Sequence, residues 1–205
     1  MCNCDPPPPR RPPPLPAAAP IFSIDVDAEG KRLVTCGQDN RTRIWNTRPM
    51  LSEAAERDKS TQFLLATLTQ HVLAVNVVRF SNSGHLLATG SDDKNICIYE
   101  LRPGPGRAIL GSSDPPNVEN WCVLTLLRGH ANNVLDLAWS PDGTRLASAS
   151  VDNLVIVWDV KAGLQVQALA AHHGHVKGVA WDPFNVYLAS QVWTEGVKKC
   201  GEIVD

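Results

Sequence analysis

The chain has 205 residues, of which 43% are hydrophobic, with a formal net charge of −2 and a pI near 6.3. This length is enough for one domain with its own core, and the charge gives no electrostatic reason to expect strong binding to nucleic acid or to a membrane surface. Six cysteines at irregular spacing, without a Cys-x-x-Cys pair, favour a reducing compartment over a disulfide scaffold. The chain lacks the apolar run of roughly 18–20 residues that a membrane helix needs.

Residues 1–19 are predicted to be a disordered, proline-rich leader. The first twenty residues contain nine prolines and do not resemble a signal peptide. Because proline has no amide donor and a fixed φ, this part should be extended and unpacked. Arg10, Pro13 and Pro16 fit a pattern that SH3 domains bind, but such patterns arise readily by chance in low-complexity sequence. We therefore expect no dedicated partner for the leader.

Residues 20–191 contain four copies of one pattern, in which short apolar runs are separated by turn residues. The copies start at Ile21, His71, Gly129 and His172. The clearest is the third, which opens with Gly-His and closes with Trp158-Asp159. Its apolar runs predict three antiparallel strands joined by tight turns, at Val134–Trp139, Leu146–Ala149 and Leu154–Trp158. Such a unit is typical of one blade of a WD-repeat β-propeller.

Four residue types recur at constant spacing within the copies. His precedes Asp by 22 residues, a hydroxyl residue stands four before that Asp, and an aromatic residue stands six after it. We expect a buried network in each copy, because sealed polar groups must find partners and these four can satisfy one another. The residues are Thr35, Asp39 and Trp45; His71, Thr89, Asp93 and Tyr99; His130, Ser148, Asp152 and Trp158; and His172.

Catalytic and metal sites are not expected from these residues. Ser, His and Asp also form hydrolase triads, but the sequence has no nucleophile elbow, and the set recurs once per copy, as a structural network would. His172, His173 and His175 could suggest zinc. His172 already has a place in the repeat, however, and the other two have no Cys or suitably spaced carboxylate beside them. We therefore predict no enzyme activity, no cofactor and no metal.

Two insertions interrupt the repeat, and both are predicted to be loops. Residues 47–65 are rich in charge, with a helical turn expected at Ser52–Arg57, and residues 101–120 are rich in Pro, Gly and Ser. Propellers often bind partners through such loops. The sequence leaves open whether these loops bind a partner or are passive surface.

The pattern breaks in the fourth copy. Continuing it from His172 predicts Asp at position 194 and an aromatic residue at 200, where the chain has Thr194 and Cys200. In the first copy the position that matches His130 is Ala17. We expect an incomplete all-β propeller of about three and a half blades, each a four-stranded antiparallel sheet. Residues 192–205 are expected to be a non-family tail without strand structure, as in a truncated product or gene model.

Several segments resemble one family more closely than the generic blade pattern does. The chain resembles the N-terminal propeller of the HIRA family of histone chaperone subunits. The middle subunit of chromatin assembly factor 1 is a close relative, with a similar strand at Ala74–Phe80; Gly111-Ser112-Ser113 and Ser190-Gln191 favour HIRA. The segments that carry the resemblance are Pro20–Ser23, Phe80–Gly84, Gly111–Ser113 with Asn117–Trp121, and Trp181–Pro183 with Ala189–Gln191.

The resemblance implies a non-catalytic nuclear scaffold for replication-independent nucleosome assembly and for chromatin and transcription regulation. Its implied partners are a ubinuclein-type subunit and a histone H3 variant with H4, without direct sequence-specific contact to nucleic acid and without a membrane. Three alternatives stay open. They are a chromatin assembly factor 1-like subunit, a generic WD-repeat adaptor (for example in ubiquitin-ligase or RNA-processing assemblies), and a truncated product without independent function.

Overall fold

The computed structural model describes residues 19–58, 60–108, 115–192 and 196–202, and side-chain burial in these ranges as far as residue 192. In these ranges the strands form four antiparallel sheets, three of four strands and one of three, which confirms the predicted all-β, incomplete WD-repeat propeller. Residues 1–18 of the predicted leader at residues 1–19, with the SH3-type pattern and Ala17, lie outside the described residues. No helix in the described ranges is long and apolar enough to cross a membrane.

Each sheet is one blade, and its strands lie side by side in chain order. Blade 1 contains β1 (Ile21–Val26), β2 (Arg32–Gly37), β3 (Thr42–Asn46) and β4 (Leu64–Leu68), and blade 2 contains β5 (Val75–Phe80), β6 (Leu86–Ser91), β7 (Asn95–Pro105) and β8 (Glu119–Arg128). Blade 3 contains β9 (Val134–Trp139), β10 (Arg145–Ser150), β11 (Val155–Asp159) and β12 (Leu164–Leu169), and blade 4 contains β13 (Val176–Trp181), β14 (Tyr187–Val192) and β15 (Gly196–Glu202). Two short helices, α1 (Arg48–Leu51) and α2 (Glu53–Arg57), lie between β3 and β4.

The third blade shows how the sequence directs the strands. The first strand has the predicted bounds, and the next two agree with the prediction to within one residue at each end. The first turn closes through a hydrogen bond from the Gly143 amide to the Ser140 carbonyl (2.9 Å), with Gly143 at a φ of 72°. Glycine adopts this left-handed conformation without the steric penalty that a side chain would add.

The blades pack in series through their first strands. Each later first strand lies against the first two strands of the blade before it: β5 against β1 and β2, β9 against β5 and β6, and β13 against β9 and β10. Three clusters of buried apolar side chains fill the interfaces between neighbouring blades, which we call the seams. Strand β11 contributes to two of these clusters and is therefore covered on both faces, which explains why it is almost wholly apolar.

A β-bulge recurs at one position in the first three blades. The register between the third and fourth strands shifts immediately before the aromatic residue of the repeat, at Trp45, Tyr99 and Trp158. The shift leaves one residue of each fourth strand without an opposite partner, namely Leu65, Leu124 and Val166. A bulge bends and twists the strand that carries it, so the outer edges of these three blades should turn in the same way.

Both predicted loops are partly wrong. Strand β4 already begins at Leu64, although the predicted helical turn is confirmed as α2, which Ser52 caps. In the second loop, β7 continues to Pro105 and β8 begins at Glu119. Beyond Leu101, whose amide still donates to the His85 carbonyl, β7 pairs with β8 alone. A strand that needs donors on one side only tolerates proline.

The prediction of no strand in residues 192–205 is also wrong. Val192 ends β14, and β15 pairs with β14 along its whole length. The hydrogen bonds between strands join backbone N–H and C=O groups, and every residue except proline carries both. A strand can therefore form without the alternation of apolar and polar residues that identifies a strand in a sequence. Residue 194, where the repeat predicts Asp and the chain has Thr, lies outside the described residues, as do residues 193 and 195.

Candidate functional site

The third blade brings all four of its predicted residues together in one buried network. The Nδ1 atom of His130 lies 2.9 Å from an oxygen of Asp152, and its Nε2 atom lies 2.7 Å from Oγ of Ser148. The indole N–H of Trp158 donates to the same Oγ at 2.9 Å. The network joins the loop before the blade to strands β10 and β11, and therefore fixes their register.

The charge state of this network follows from its burial. Burial lowers the pKa of His130, against the hydrogen bond and charge of Asp152, which act in the opposite direction. The ring is therefore neutral near pH 7. Since the carboxylate can only accept, Nδ1 carries the proton and Nε2 accepts from Ser148. Burial alone would raise the pKa of Asp152, but hydrogen bonds from His130 and from the backbone amides of Ala131 and Leu154 outweigh it and lower that pKa.

This hydrogen-bond order is the same as in a serine hydrolase, but the hydroxyl cannot meet a substrate. Ser148 is completely buried, and the indole of Trp158 occupies one side of its Oγ. A nucleophile must approach the carbon that it attacks, and a sealed hydroxyl cannot do so. The arrangement therefore orders the blade.

The second blade repeats the network with a phenol in place of the indole. His71 lies 2.9 Å from Asp93 through Nδ1 and 2.7 Å from Thr89 through Nε2. Burial raises the pKa of Tyr99 well above its ordinary value, although a hydrogen bond with Thr89 acts against the rise. The phenol is therefore protonated at every physiological pH and serves as a neutral partner of the hydroxyl.

The first blade holds a different set. The indole N–H of Trp45 donates to Oγ1 of Thr35 at 2.9 Å, as in the third blade. Asp39, however, pairs with the guanidinium of Arg43 at 2.6 Å. Position 43 corresponds to Cys97 and Ile156 in the next two blades. Because this position is apolar in the next two blades, the charge of Arg43 could have indicated a different partner for Asp39, but the sequence prediction missed it.

The fourth blade contains the histidine and a hydroxyl that was not predicted. His172 Nε2 lies 2.6 Å from Oγ of Ser190, and both residues are buried. Ser190 follows His172 by 18 residues, the same interval that separates His71 from Thr89, so the repeat spacing could have found it. His173 and His175 are exposed. The described ranges contain no group of three or more His, Cys, Asp or Glu residues placed to share a metal ion.

Polar contacts also cross the seams between blades, and the sequence prediction missed them. Arg79 on β5 donates to Ser23 of blade 1 at 3.0 Å and to Asp136 of blade 3 at 2.9 Å, so one side chain connects three blades. At the ends of β9 and β13, the indoles of Trp139 and Trp181 each donate to a backbone carbonyl of the preceding blade at 3.0 Å. These contacts set the spacing of neighbouring first strands.

The second insertion binds the outer edge of blade 1. The side-chain amide of Asn117 accepts from the backbone N–H of Thr67 at 2.8 Å and donates to its carbonyl at 3.2 Å, as a neighbouring strand would. The amide of Val118 donates to the Leu65 carbonyl at 2.7 Å. The edge of β4 is thereby covered, so backbone N–H and C=O groups that would otherwise face solvent are hydrogen-bonded.

Glu119 completes this contact with charge. Its carboxylate accepts from Nε of Arg32 at 2.8 and 3.0 Å, and the Arg32 Nη2 atom lies 2.8 Å from the same group. The indole of Trp121 donates to Glu119 at 2.8 Å, and its ring packs against Phe80. We call residues 117–121 the clamp segment. It belongs to blade 2 and holds blade 1, a role that the loop prediction did not anticipate.

Comparison with known proteins gives one consistent family. A family model described as "CAF1B/HIR1 beta-propeller domain" matches residues 17–198, a range that passes both ends of the predicted 20–191 region. The predicted boundaries of the leader, propeller and tail stay predictions. The chain is 45% identical over 182 residues to protein HIR1 of Cryptococcus neoformans var. neoformans serotype D, which covers 89% of this chain and 20% of that protein.

Two further similarities extend this result. Protein HIRA of Oryza sativa subsp. japonica is 46% identical over 144 residues, which is 70% of this chain and 15% of that protein. The chain thus spans a fifth or less of the length of these relatives. A chain in the crystal structure of the mitotic checkpoint complex superposes with a TM-score of 0.70 at 22% identity, over 90% of this chain and 48% of that one, and shows the fold alone. The family match and these identities place the chain in the CAF1B/HIR1 β-propeller family, as a HIRA-family protein.

Proposed function

We propose that this chain is a non-catalytic scaffold of a nuclear histone chaperone complex, which acts in replication-independent nucleosome assembly and in chromatin and transcription regulation. The observation that carries the proposal is membership of the HIRA family over almost the whole chain. The proposed partners are a ubinuclein-type subunit and a histone H3 variant with H4. Because the chain spans a fifth or less of its relatives, the proposal concerns the part of the assembly that the propeller holds.

The geometry is consistent with a scaffold. The polar side chains that resemble catalytic groups are used inside the blades, where Ser148 and Thr89 are completely buried. The clamp segment and Arg79 connect neighbouring blades, so loops and strand ends are presented on a fixed frame. A frame that does not move on binding loses less conformational entropy when a partner docks.

The second candidate is a subunit like the middle subunit of chromatin assembly factor 1. The family model that matches the chain covers both kinds of protein, and this observation favours the second candidate over any other alternative. The two candidates differ in their partners. The first predicts a ubinuclein-type subunit, and the second predicts the other subunits of chromatin assembly factor 1.

The test is an affinity capture of the tagged 205-residue chain from nuclear extract, with partners identified by mass spectrometry. The first proposal expects ubinuclein and H3–H4, and the second expects the other subunits of chromatin assembly factor 1. Recovery of ubiquitin-ligase or RNA-processing components instead would contradict both proposals. Repeating the capture with purified partners separates direct binding from binding through an intermediate protein, and fluorescence microscopy of the same tagged chain tests the nuclear location.

A further inference from the structure

The clamp segment shows how the outer edge of a blade in this protein can be covered. The side chain of Asn117 bonds both the N–H and the carbonyl of Thr67, and the Val118 amide donates to the carbonyl of Leu65. Leu65 and Thr67 are two residues apart on β4, so their free backbone groups point to the same, outer side of the blade. An Asn followed by a β-branched apolar residue therefore pairs with this edge as a short extra strand would.

Blade 2 has an outer edge of the same register. The residue without an opposite partner at the bulge is Leu65 in β4 and Leu124 in β8. Two residues further on stand Thr67 and Leu126, which lie opposite matching positions of the third strands of their blades. The carbonyl of Leu124 and both backbone groups of Leu126 therefore point outward, as the matching groups of β4 do.

The edge of β8 has no such cover among the residues that the structure describes. No hydrogen bond in those ranges joins Leu124 or Leu126 to a segment other than β7. In blade 1 the cover comes from the long connection between the third and fourth strands of the next blade. In blade 3 that connection is only residues 160–163, and it touches β8 where Gly163 lies against the Thr125 side chain. Blade 2 lies between blades 1 and 3, so this open edge does not depend on where the chain begins or ends.

The side chains along this edge suit an uncharged segment. Residues 120–127 of β8 carry no charge, although charge and proline are the usual protection of an exposed edge. Val123 and Leu124 are 43% and 41% exposed. Strand β12 has the matching register in blade 3, but it has six residues where β8 has ten, and Gln165 and Gln167 flank its bulge residue. The edge of β8 is therefore the longer and the more apolar of the two.

We propose that the outer edge of β8 binds an extended, uncharged segment of a partner protein, in which an Asn and a β-branched apolar residue repeat the contacts of Asn117 and Val118. The segment runs antiparallel to β8, as the clamp segment runs antiparallel to β4. Its Asn side chain pairs with the backbone of Leu126, and the next amide donates to the carbonyl of Leu124. Backbone hydrogen bonds supply the affinity, and the exposed apolar side chains beside them select against charge. This inference does not depend on the proposed function.

The probe is a peptide with the sequence of residues 115–121, blocked at both ends, in which Glu119→Gln removes the charge. This charge is not needed on blade 2, because Leu86 stands there at the position of Arg32. The peptide is added to the isotope-labelled 205-residue protein, and amide hydrogen exchange is measured by NMR.

Exchange at the Leu126 amide should become at least about 5-fold slower at saturating peptide. Exchange at Thr67 should stay the same, because its amide is already bonded to Asn117. Protection of Ala168 on β12 in place of Leu126 would overturn the proposal, and so would the absence of protection at millimolar peptide.

Variants of both molecules test the two parts of the contact, with the dissociation constant measured by fluorescence anisotropy of a labelled peptide. Asn117→Ala in the peptide removes both bonds to Leu126 and should weaken binding at least about 5-fold. Leu124→Lys in the protein places a charge on the edge and should weaken binding at least about 5-fold. Leu73→Lys is the matched control, since Leu73 is 50% exposed in the loop before β5, and it should leave the dissociation constant unchanged. Equal binding in all these combinations would overturn the proposal, and circular dichroism shows that each protein variant is folded.

A second copy of the chain is the other strand that such an edge could bind. Sedimentation velocity of the protein at micromolar concentrations distinguishes the two occupants. The expected result is a single species of 22.3 kDa, which leaves the edge free for a partner. A species of twice this mass that Leu124→Lys dissociates would overturn the proposal, because the edge would then be occupied by its own kind.

Discussion

Arg32 of blade 1 and Glu119 of blade 2 form a two-point ion pair, with the guanidinium Nε and Nη2 atoms each 2.8 Å from the carboxylate. The two side chains are only 20% and 17% exposed. A partly buried ion pair with this two-point geometry is stronger than an exposed pair. Removing one partner lowers the free energy of unfolding, because the other charge is left partly buried and unpaired.

We expect Arg32 and Glu119 to be strongly coupled in a double-mutant cycle. With Arg32→Ala, Glu119→Ala and the double variant, the coupling in the free energy of unfolding should be about 1–3 kcal/mol, measured by urea denaturation. The pair Arg57 and Glu53 is the control, since its side chains are 78% and 83% exposed, and its coupling should be close to zero. Equal coupling in the two pairs would show that the clamp segment does not hold blade 1.

Asn117→Ala should expose the outer edge of β4. The variant loses both hydrogen bonds to Thr67 and should lower the free energy of unfolding by about 1–2 kcal/mol. The specific readout is amide hydrogen exchange at Thr67, which should become faster. Asn120→Ala is the matched control, because Asn120 bonds Pro103 within its own hairpin. If exchange at Thr67 is the same in both variants, Asn117 does not protect this edge.

The third blade should lose stability in mild acid. Burial lowers the pKa of His130 below the ordinary 6.5, so between the lowered value and 6.5 the unfolded chain binds more protons than the native one. The free energy of unfolding is therefore expected to fall as the pH decreases below about 6.5, with a slope from this group of at most about 1.4 kcal/mol per pH unit.

Urea titrations at pH 7.5, 6.5 and 5.5 measure this effect. His130→Gln should make the dependence shallower, although the variant is less stable at pH 7.5 because its network is incomplete. The exposed His85 is the control, and His85→Gln should keep the slope of the parent protein. A slope that does not change in His130→Gln would assign the acid sensitivity to other groups.

Two buried thiols should resist alkylation. Burial raises the pKa of Cys36 and of Cys97 to about 12, so the reactive thiolate is scarce at pH 8. In native buffer a maleimide should label the half-buried Cys122 faster than either of them, and all three should react in urea. Peptide mass spectrometry measures each site. Rapid native labelling of Cys97 would indicate that blade 2 opens easily.

The repeat and its local geometry could be predicted from the sequence, because they depend on short intervals. Turn residues bound the strands of blade 3, and a fixed interval of 18 residues separates His130 from Ser148, so spacing alone placed them together. In a blade that departs from the repeat, the spacing did not predict the contacts. In blades 2 and 3 a histidine contacts the repeat's Asp, but in blade 1 Asp39 pairs with Arg43, a residue that is not part of the repeat pattern.

Contacts between blades could not be predicted in the same way. Arg32 and Glu119 are 87 residues apart, and Trp139 and Arg79 are 60 apart, so only the relative placement of two blades brings them together. The clamp segment was also hidden by the composition of the insertion that contains most of it, since residues 101–120 are rich in Pro, Gly and Ser and are typical of a loop. A strand with one bonded side accepts such residues, and this condition is visible only when the sheet is known.

The position of the clamp segment also determines the order in which the protein can be finished during synthesis. Thr67 is made 50 residues before Asn117, and ribosomes add about 5–20 residues per second, so roughly 3–10 s separate the two. Throughout that interval the last strand of blade 1 is made but its outer edge has no partner. The nascent chain is therefore most open to mispairing with another chain, or to capture by a chaperone, while residues 68–117 are being translated.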